Sequence, residues 1–229
     1  MKNVFWIVLI FSTLLNGCGS KSNMEYFLRD DVDIGYVSRI AVVPFENNSR
    51  DQYVAPRVRD LVITQILSYK IFDVVDKGLV DSALREEAVD LSKAPMDAAL
   101  IKRVGQRMNV QAFLMGTIDL SEKVQRGTVS YPQLSITLRL VDIHTGMIFW
   151  QVSGNRTGDS LGKRLFGLAH DDEFKVSLGL IRQLLNTLPD PERAAFEIEG
   201  DSDGKENSNE ILIDGDDNLL IVPQDNDQG

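Results

Sequence analysis

The sequence predicts an α/β fold: a single three-layer-like domain with a mixed sheet flanked by helices, in the order β-α-β-α-α-β-β-β-α. Three observations carry this. Short runs rich in β-branched residues, Arg39 to Phe45 (RIAVVPF) and Ile71 to Val75 (IFDVV), have the length and composition of buried strands. Stretches with apolar residues at helical spacing separate the early strands. From Gln133 to Val152, alternating apolar and polar residues on either side of a tight turn describe an antiparallel hairpin.

The first strand stops at Pro44, and Glu46-Asn47-Asn48-Ser49 reads as a polar turn. Val54, Val58, Leu61, Val62 and Ile66 then mark an amphipathic helix, with Arg57, Arg59 and Asp60 between them. After the strand at Ile71 to Val75, residues Leu79 to Leu91 repeat the helical pattern, with Arg85, Glu86 and Glu87 outward. Pro95 opens a third helix: proline suits a first turn, Asp97 complements the dipole, and Leu100, Ile101 and Val104 face inward. Val110 to Leu120 (VQAFLMGTIDL) is a strand continuing toward Val124. It turns at Arg126-Gly127 into Gln133 to Asp142, where Leu134, Ile136, Leu138 and Leu140 form one face. His144-Thr145-Gly146 makes the tight turn into Met147 to Val152. A polar flexible segment is expected over 154–163, and a last helix built on Phe174, Leu178, Ile181, Leu184 and Leu185 ends before Pro189.

The flanks differ from this body. Lys2 precedes an apolar stretch, Val4 to Leu15, too short to span a bilayer and of signal-peptide length. The following Leu15-Asn16-Gly17-Cys18 resembles a bacterial lipobox, which implies that residues 1–17 are a lipoprotein signal peptide and that Cys18 is lipidated and becomes the mature first residue. Several acyl chains on one residue anchor stably, because each buried methylene contributes about 0.8 kcal/mol. Gly19 and Ser20 follow, with no Asp beside the anchor, as in lipoproteins sorted to the outer membrane of two-membrane bacteria; a periplasm-facing location is expected. Residues 18–38 read as a lipidated tether whose Tyr26, Phe27 and Leu28 dock on the body or on a neighbouring subunit, and residues 39–189 as the α/β domain.

Charge divides the 229 residues in the same way. From Asp190 onward thirteen acidic and two basic residues give a balance of −11, leaving +1 for residues 1–189 out of the total of −10. A neutral body with an acidic tail over 190–229 supplies no basic face for phosphate neutralisation, so nucleic-acid partners are excluded. One Cys and two His assemble neither a disulfide nor a Cys/His zinc set.

No catalytic constellation is visible. His144 lies in a hairpin turn and His170 before a helix, in no ligand spacing, and there is no nucleophile elbow, phosphate loop or dinucleotide fingerprint. The pairs Glu86-Glu87 and Asp171-Asp172 fall on a helix surface and at a helix start, where neighbours do not face one another and acids suit the dipole. In the tail, Asp201-Ser202-Asp203-Gly204 and Asp214-Gly215-Asp216-Asp217-Asn218 are oxygen-rich turns without the offsets of a calcium loop. Ile211-Leu212-Ile213 and Leu219 to Val222 are apolar patches suited to a small hairpin or an added edge strand. Neither an enzyme activity, nor a metal, nor a cofactor is expected.

Three segments in order carry a family resemblance: Ile40-Ala41-Val42-Val43-Pro44-Phe45-Glu46-Asn47, Phe113-Leu114-Met115-Gly116-Thr117-Ile118, and Asp142-Ile143-His144-Thr145-Gly146-Met147-Ile148-Phe149-Trp150. With the lipobox, they resemble the CsgG-type envelope lipoproteins, a superfamily that includes the curli-secretion subunit, the PelC exopolysaccharide-export protein and the LpoB activator of a peptidoglycan synthase. The resemblance covers about residues 39–188 and implies a non-enzymatic periplasmic domain, anchored by lipid to the outer membrane, that often assembles into homo-oligomeric rings. It implies envelope protein or polysaccharide partners, with scaffolding or guidance of polymer export as the first reading and activation of a penicillin-binding protein as the alternative. Gly116 to Asp142 departs from the pore-forming members: it holds two strands of the core sheet and a loop with Glu122, Lys123, Gln125 and Arg126, and no second pair of membrane-spanning strands.

Overall fold

The computed structural model of the chain describes residues 23–32, 34–89, 96–127, 129–159 and 170–189. The lipobox with Cys18, Pro95 and the acidic tail lie outside the described residues.

The strands are β1 (Asn23–Leu28), β2 (Arg39–Val42), β3 (Glu46–Asn47), β4 (Asp73–Val74), β5 (Ala112–Arg126), β6 (Val129–Asp142) and β7 (Ile148–Thr157). The helices are α1 (Val54–Tyr69), α2 (Lys77–Glu86), α3 (Ala98–Met108) and α4 (Glu173–Leu185), with a short 3-10 turn at Ile34–Tyr36. One mixed sheet runs β1-β7-β6-β5-β2-β4, and β3 also pairs with β5. The α/β class and the element order expected from the sequence are both present. Among the described residues no helix is long and apolar enough to cross a membrane.

Three boundaries differ from expectation. Glu46 and Asn47 form no turn: Pro44 only interrupts the first strand, and pairing with β5 resumes at Thr117 and Ile118. The turn follows, where Ser49 donates its backbone N–H and its hydroxyl to Asn47 Oδ1 at 3.0 and 2.7 Å. Residues 154–157, expected to open a flexible segment, complete β7; Asn155 and Thr157 pair with Ser135 and Gln133. Their polar side chains are those of a strand with one wet face. The third helix begins at Ala98, with Asp97 as its N-cap, accepting from the backbone N–H of Leu100 at 2.7 Å. Asp76 and Asp172 cap α2 and α4 in the same way, satisfying amides that a helix start leaves open.

The tether is part of the sheet. β1 pairs antiparallel with β7, from Asn23 opposite Asn155 to Leu28 opposite Trp150. Leu28 is half-buried, whereas Tyr26 and Phe27 remain exposed. Trp150 is fully buried and donates its indole N–H to Thr187 Oγ1 at 2.9 Å, so it belongs to the core.

Two helical layers cover the sheet unequally. One face carries Ile40, Val42, Leu114, Ile118, Ile136, Leu138, Leu140 and Val152, buried beneath Val58, Val62 and Ile66 of α1 and Leu180, Ile181 and Leu184 of α4. At Gly154 the backbone of β7 lies so close to α4 that a Cβ would sit 2.8 Å from Leu184 Cδ2. The other face is covered over only part of its area: Ala41, Val43, Phe113, Val141 and Ile143 pack against Val80, Ala83 and Leu84 of α2 and Ile101 and Val104 of α3.

Arg59 joins the layers through a polar contact. Its buried guanidinium donates from Nε and Nη2 to the carbonyl of Val42 at 3.1 and 2.7 Å and pairs through Nη1 with Asp81 at 2.8 Å. The carbonyl at the end of β2, the helix behind it and α2 are thereby tied together. Removing the guanidinium leaves that acceptor and Asp81 unmatched, so Arg59→Ala is expected to cost about 3 kcal/mol by urea denaturation.

The β6–β7 turn is held by Asp142. Its buried carboxylate accepts from the backbone N–H and hydroxyl of Thr145 at 2.8 and 2.6 Å and from the Tyr36 hydroxyl at 3.2 Å, while Gly146 supplies a φ of 71°. Burial pushes the carboxyl pKa up, but the hydrogen bonds from Thr145, His144 and Tyr36 outweigh it and hold the group below the usual carboxylate value. Burial, and then the Asp142 charge, push the Tyr36 phenol up. A depressed folded-state pKa adds stability above the unfolded carboxyl's pKa of about 4, lost as pH falls through the lower folded value. Asp142→Asn is expected to lower neutral-pH stability by about 1–2 kcal/mol. Urea titrations across pH 2 to 7 should also show a shallower acid limb for this variant.

Candidate functional site

The candidate site is the part of the second sheet face that α2 and α3 leave uncovered. Residues directly opposite in adjacent antiparallel strands share a face, so register alone places the side chains in rows. One row runs Met115, Arg139, Gln151 and Phe27 across β5, β6, β7 and β1. The next runs Thr117, Thr137, Ser153 and Glu25. A third runs Leu120, Ser135 and Asn155, after a bulge between Ile118 and Leu120.

The polar groups bond to one another. Thr137 Oγ1 donates to Asp119 Oδ2 at 2.8 Å and shares a 2.9 Å hydrogen bond with Ser153 Oγ. The bulge supplies Asp119, an extra residue that returns a carboxylate to this side. Gln133 Nε2 donates to Asn155 Oδ1 at 3.4 Å. Arg139 lies 3.5 Å from Glu46, at the mouth of a cleft of about 270 Å³ walled by Val43, Pro44, Met96, Ile101, Met115 and Ile148. Phe27 closes the opposite rim and is more than half exposed. Hydroxyls, amides and one guanidinium beside an apolar cleft and an exposed ring have the chemistry of a recognition surface.

The residues singled out in the sequence are elsewhere. His144 is exposed in the β6–β7 turn. His170 stacks near Tyr131, ring centroids 6.1 Å apart, with Nδ1 3.8 Å from Asp159. Glu86 and Glu87 pair with Arg107 and Arg103 of α3 and so staple α2 to α3. Among the described residues no group of three His, Cys, Asp or Glu is placed to hold a metal ion. Of the residues on the uncovered face, Asn155 fell in the segment expected to be flexible, whereas Thr137 and Arg139 were legible in the sequence as the polar half of the alternation over Gln133 to Asp142. That signal marks a wet face but does not say that a helix fails to cover it.

The family profile described as peptidoglycan-synthase activator LpoB matches residues 21–155. The match begins ahead of β1 and ends inside β7, so it takes in the tether strand and most of the sheet but not α4. No curated protein sequence matches the chain. Among solved structures, the PelC dodecamer from Paraburkholderia phytofirmans is 16% identical, covering 71% of this chain and 96% of that one, with a TM-score of 0.49. The lipoprotein GNA1162 from Neisseria meningitidis is 19% identical over 66% of this chain and 99% of that one, with a TM-score of 0.47. The LpoB C-terminal domain from Salmonella enterica is 16% identical over 56% of this chain and 86% of that one, with a TM-score of 0.40.

The face tolerates change because it is wet. Arg139→Ala breaks an ion pair open to solvent and is expected to alter stability by less than about 1 kcal/mol. Thr137→Val removes both hydroxyl bonds and is expected to cost about 1–2 kcal/mol in the same denaturation measurement.

Proposed function

The chain belongs to the family of LpoB peptidoglycan-synthase activators, and from that premise we propose that it is an envelope lipoprotein that binds and stimulates a peptidoglycan synthase without catalysing a reaction itself. The observation that carries the reading is the family match over residues 21–155, which takes in β1, β5, β6 and most of β7, the strands of the uncovered face. The lipobox at Cys18 supports a lipid anchor, and the family supports the periplasmic face of the outer membrane as the location. Activation by contact needs a stable surface and no reacting group. The rows around Arg139, Thr137 and Ser153 meet that need, because a rigid sheet fixes donors and acceptors at strand spacing before any partner arrives.

Among the described residues β1 ends the sheet, and no strand lies beside its outer edge. Such an edge is a template for a further strand, so self-association through β1 belongs to the same proposal. The order of the two sequence-based readings changes: guidance of polymer export stands second, because the matched family is that of synthase activators.

The test is direct. The full chain is expected to capture a bifunctional penicillin-binding protein and to raise its rate of glycan polymerisation several-fold in a reconstituted assay. The double variant Arg139→Glu, Ser153→Arg puts a reversed charge and a bulky side chain on the uncovered face and is expected to weaken that capture by at least about tenfold. Its circular dichroism should be unchanged. Absence of both capture and stimulation would sink the synthase reading and leave polymer export as the reading to examine.

A further inference from the structure

The sheet limits how far the body can stand from its anchor. β1 begins at Asn23, paired with Asn155, only five residues beyond Cys18. An extended chain advances at most about 3.6 Å per residue, so Cys18 lies within about 18 Å of Asn23. The polar layer on each side of a bilayer's hydrocarbon core is itself about 5–8 Å deep. A body tied this closely meets the membrane with whichever end carries Asn23.

That end is defined by register. Asn155 and Thr157 lie at the end of β7, opposite Ser135 and Gln133, and the β5–β6 hairpin continues past them to Arg126 opposite Val129. The start of α1 is at the same end, because β3 runs parallel to β5 as far as Ile118 and the chain then turns into the helix. The start of α4 is there too. Arg57 bridges Asp51 and Glu173 at 2.5 and 2.7 Å, and the backbone N–H of Asp171 donates to Gly158 at 3.2 Å. Among the described residues, three large apolar side chains are exposed at this end: Tyr53 at 73%, Phe174 at 59% and Val129 at 39%. The Arg57 bridge joins the turn before α1 to the first residue of α4, so the segments that carry Tyr53 and Phe174 are tied together; tyrosine favours the membrane–water interface, and phenylalanine is common on the apolar side of surface-bound helices.

We propose that the hairpin end of the body docks on the lipid surface, with Tyr53 and Phe174 seated among the headgroups and Val129 beside them. The proposal rests on the reading of Cys18 as lipid-bearing. Its consequence is a division of labour: with so short a tether, a partner rooted in the opposite membrane covers the intervening distance, and the uncovered sheet face is presented close to the anchoring leaflet.

The test uses the full chain, made in a host that processes lipoproteins and reconstituted in vesicles of phosphatidylethanolamine with a minor share of phosphatidylglycerol, acyl chains brominated. Tyr53→Trp and Phe174→Trp report contact with lipid, and both positions are open enough to accept the larger ring. Leu67→Trp reports the far end, fourteen residues further along α1 and about 21 Å away. The unsubstituted protein, whose Trp150 is fully buried, supplies the baseline and confirms the fold. Emission from positions 53 and 174 is expected to shift to the blue and lose about half its intensity relative to unbrominated vesicles, with position 67 and the baseline unchanged. No quenching at 53 and 174, or equal quenching at 67, on protein whose Cys18 carries lipid by mass spectrometry overturns the docking and leaves the anchor standing. A bare Cys18 overturns both.

Discussion

The backbone pairing of β5 is the constraint on which the remaining structure depends. β2 and β3 hydrogen-bond along one side of it and β6 along the other, so parallel and antiparallel halves of the sheet meet on this strand. Its side chains feed both cores: Leu114 and Ile118 beneath α1 and α4, Phe113 beneath α2 and α3. A strand buried on both sides accepts few changes, because a shift of one residue would exchange the two faces. Along β5 the register against β6 moves at the bulge after Ile118, which lies where the second helical layer has ended and the open face has begun.

That unequal covering is how the fold leaves part of one sheet face open beside a cleft. α1 and α4 bury one face, and Gln65, itself buried, accepts from Arg182 Nε at 2.9 Å to lock the two helices together. α2 and α3 bury the other face only near β2, β4 and the adjoining ends of β5 and β6. The rest of the sheet is stiff because it is backed by a complete core, and its side chains are only half-buried because, among the described residues, no helix lies on top of it. Stiffness and exposure together suit recognition, since little conformational freedom remains to be lost when a partner binds.

Tether and tail stand in different relations to this body. Residues 23–28 are drawn into the sheet by β7, which leaves only residues 19–22 between Cys18 and the first strand. The acidic residues from Asp190 onward follow α4, beyond the segment that matches the family. We propose that the hairpin end meets the membrane and that the wet sheet face beside it meets the partner.

Local physics determined a good deal from the sequence alone. Helical spacing of valines and leucines, β-branched runs and strict alternation from Leu134 to Leu140 settled the type and order of the elements, and Asp97 was recognised at the start of its helix. What sequence could not decide were non-local matters. Tyr26, Phe27 and Leu28 have no periodicity that says they will pair with residues more than a hundred positions away, and Glu46-Asn47 has turn composition although β5 makes it a strand. The alternation in β6 marks Thr137 and Arg139 as polar but does not say whether a helix crosses above them. Only the tertiary structure settled these points, because edge pairing and the extent of a helical layer depend on where distant segments come to rest, and the local sequence carries no term for that.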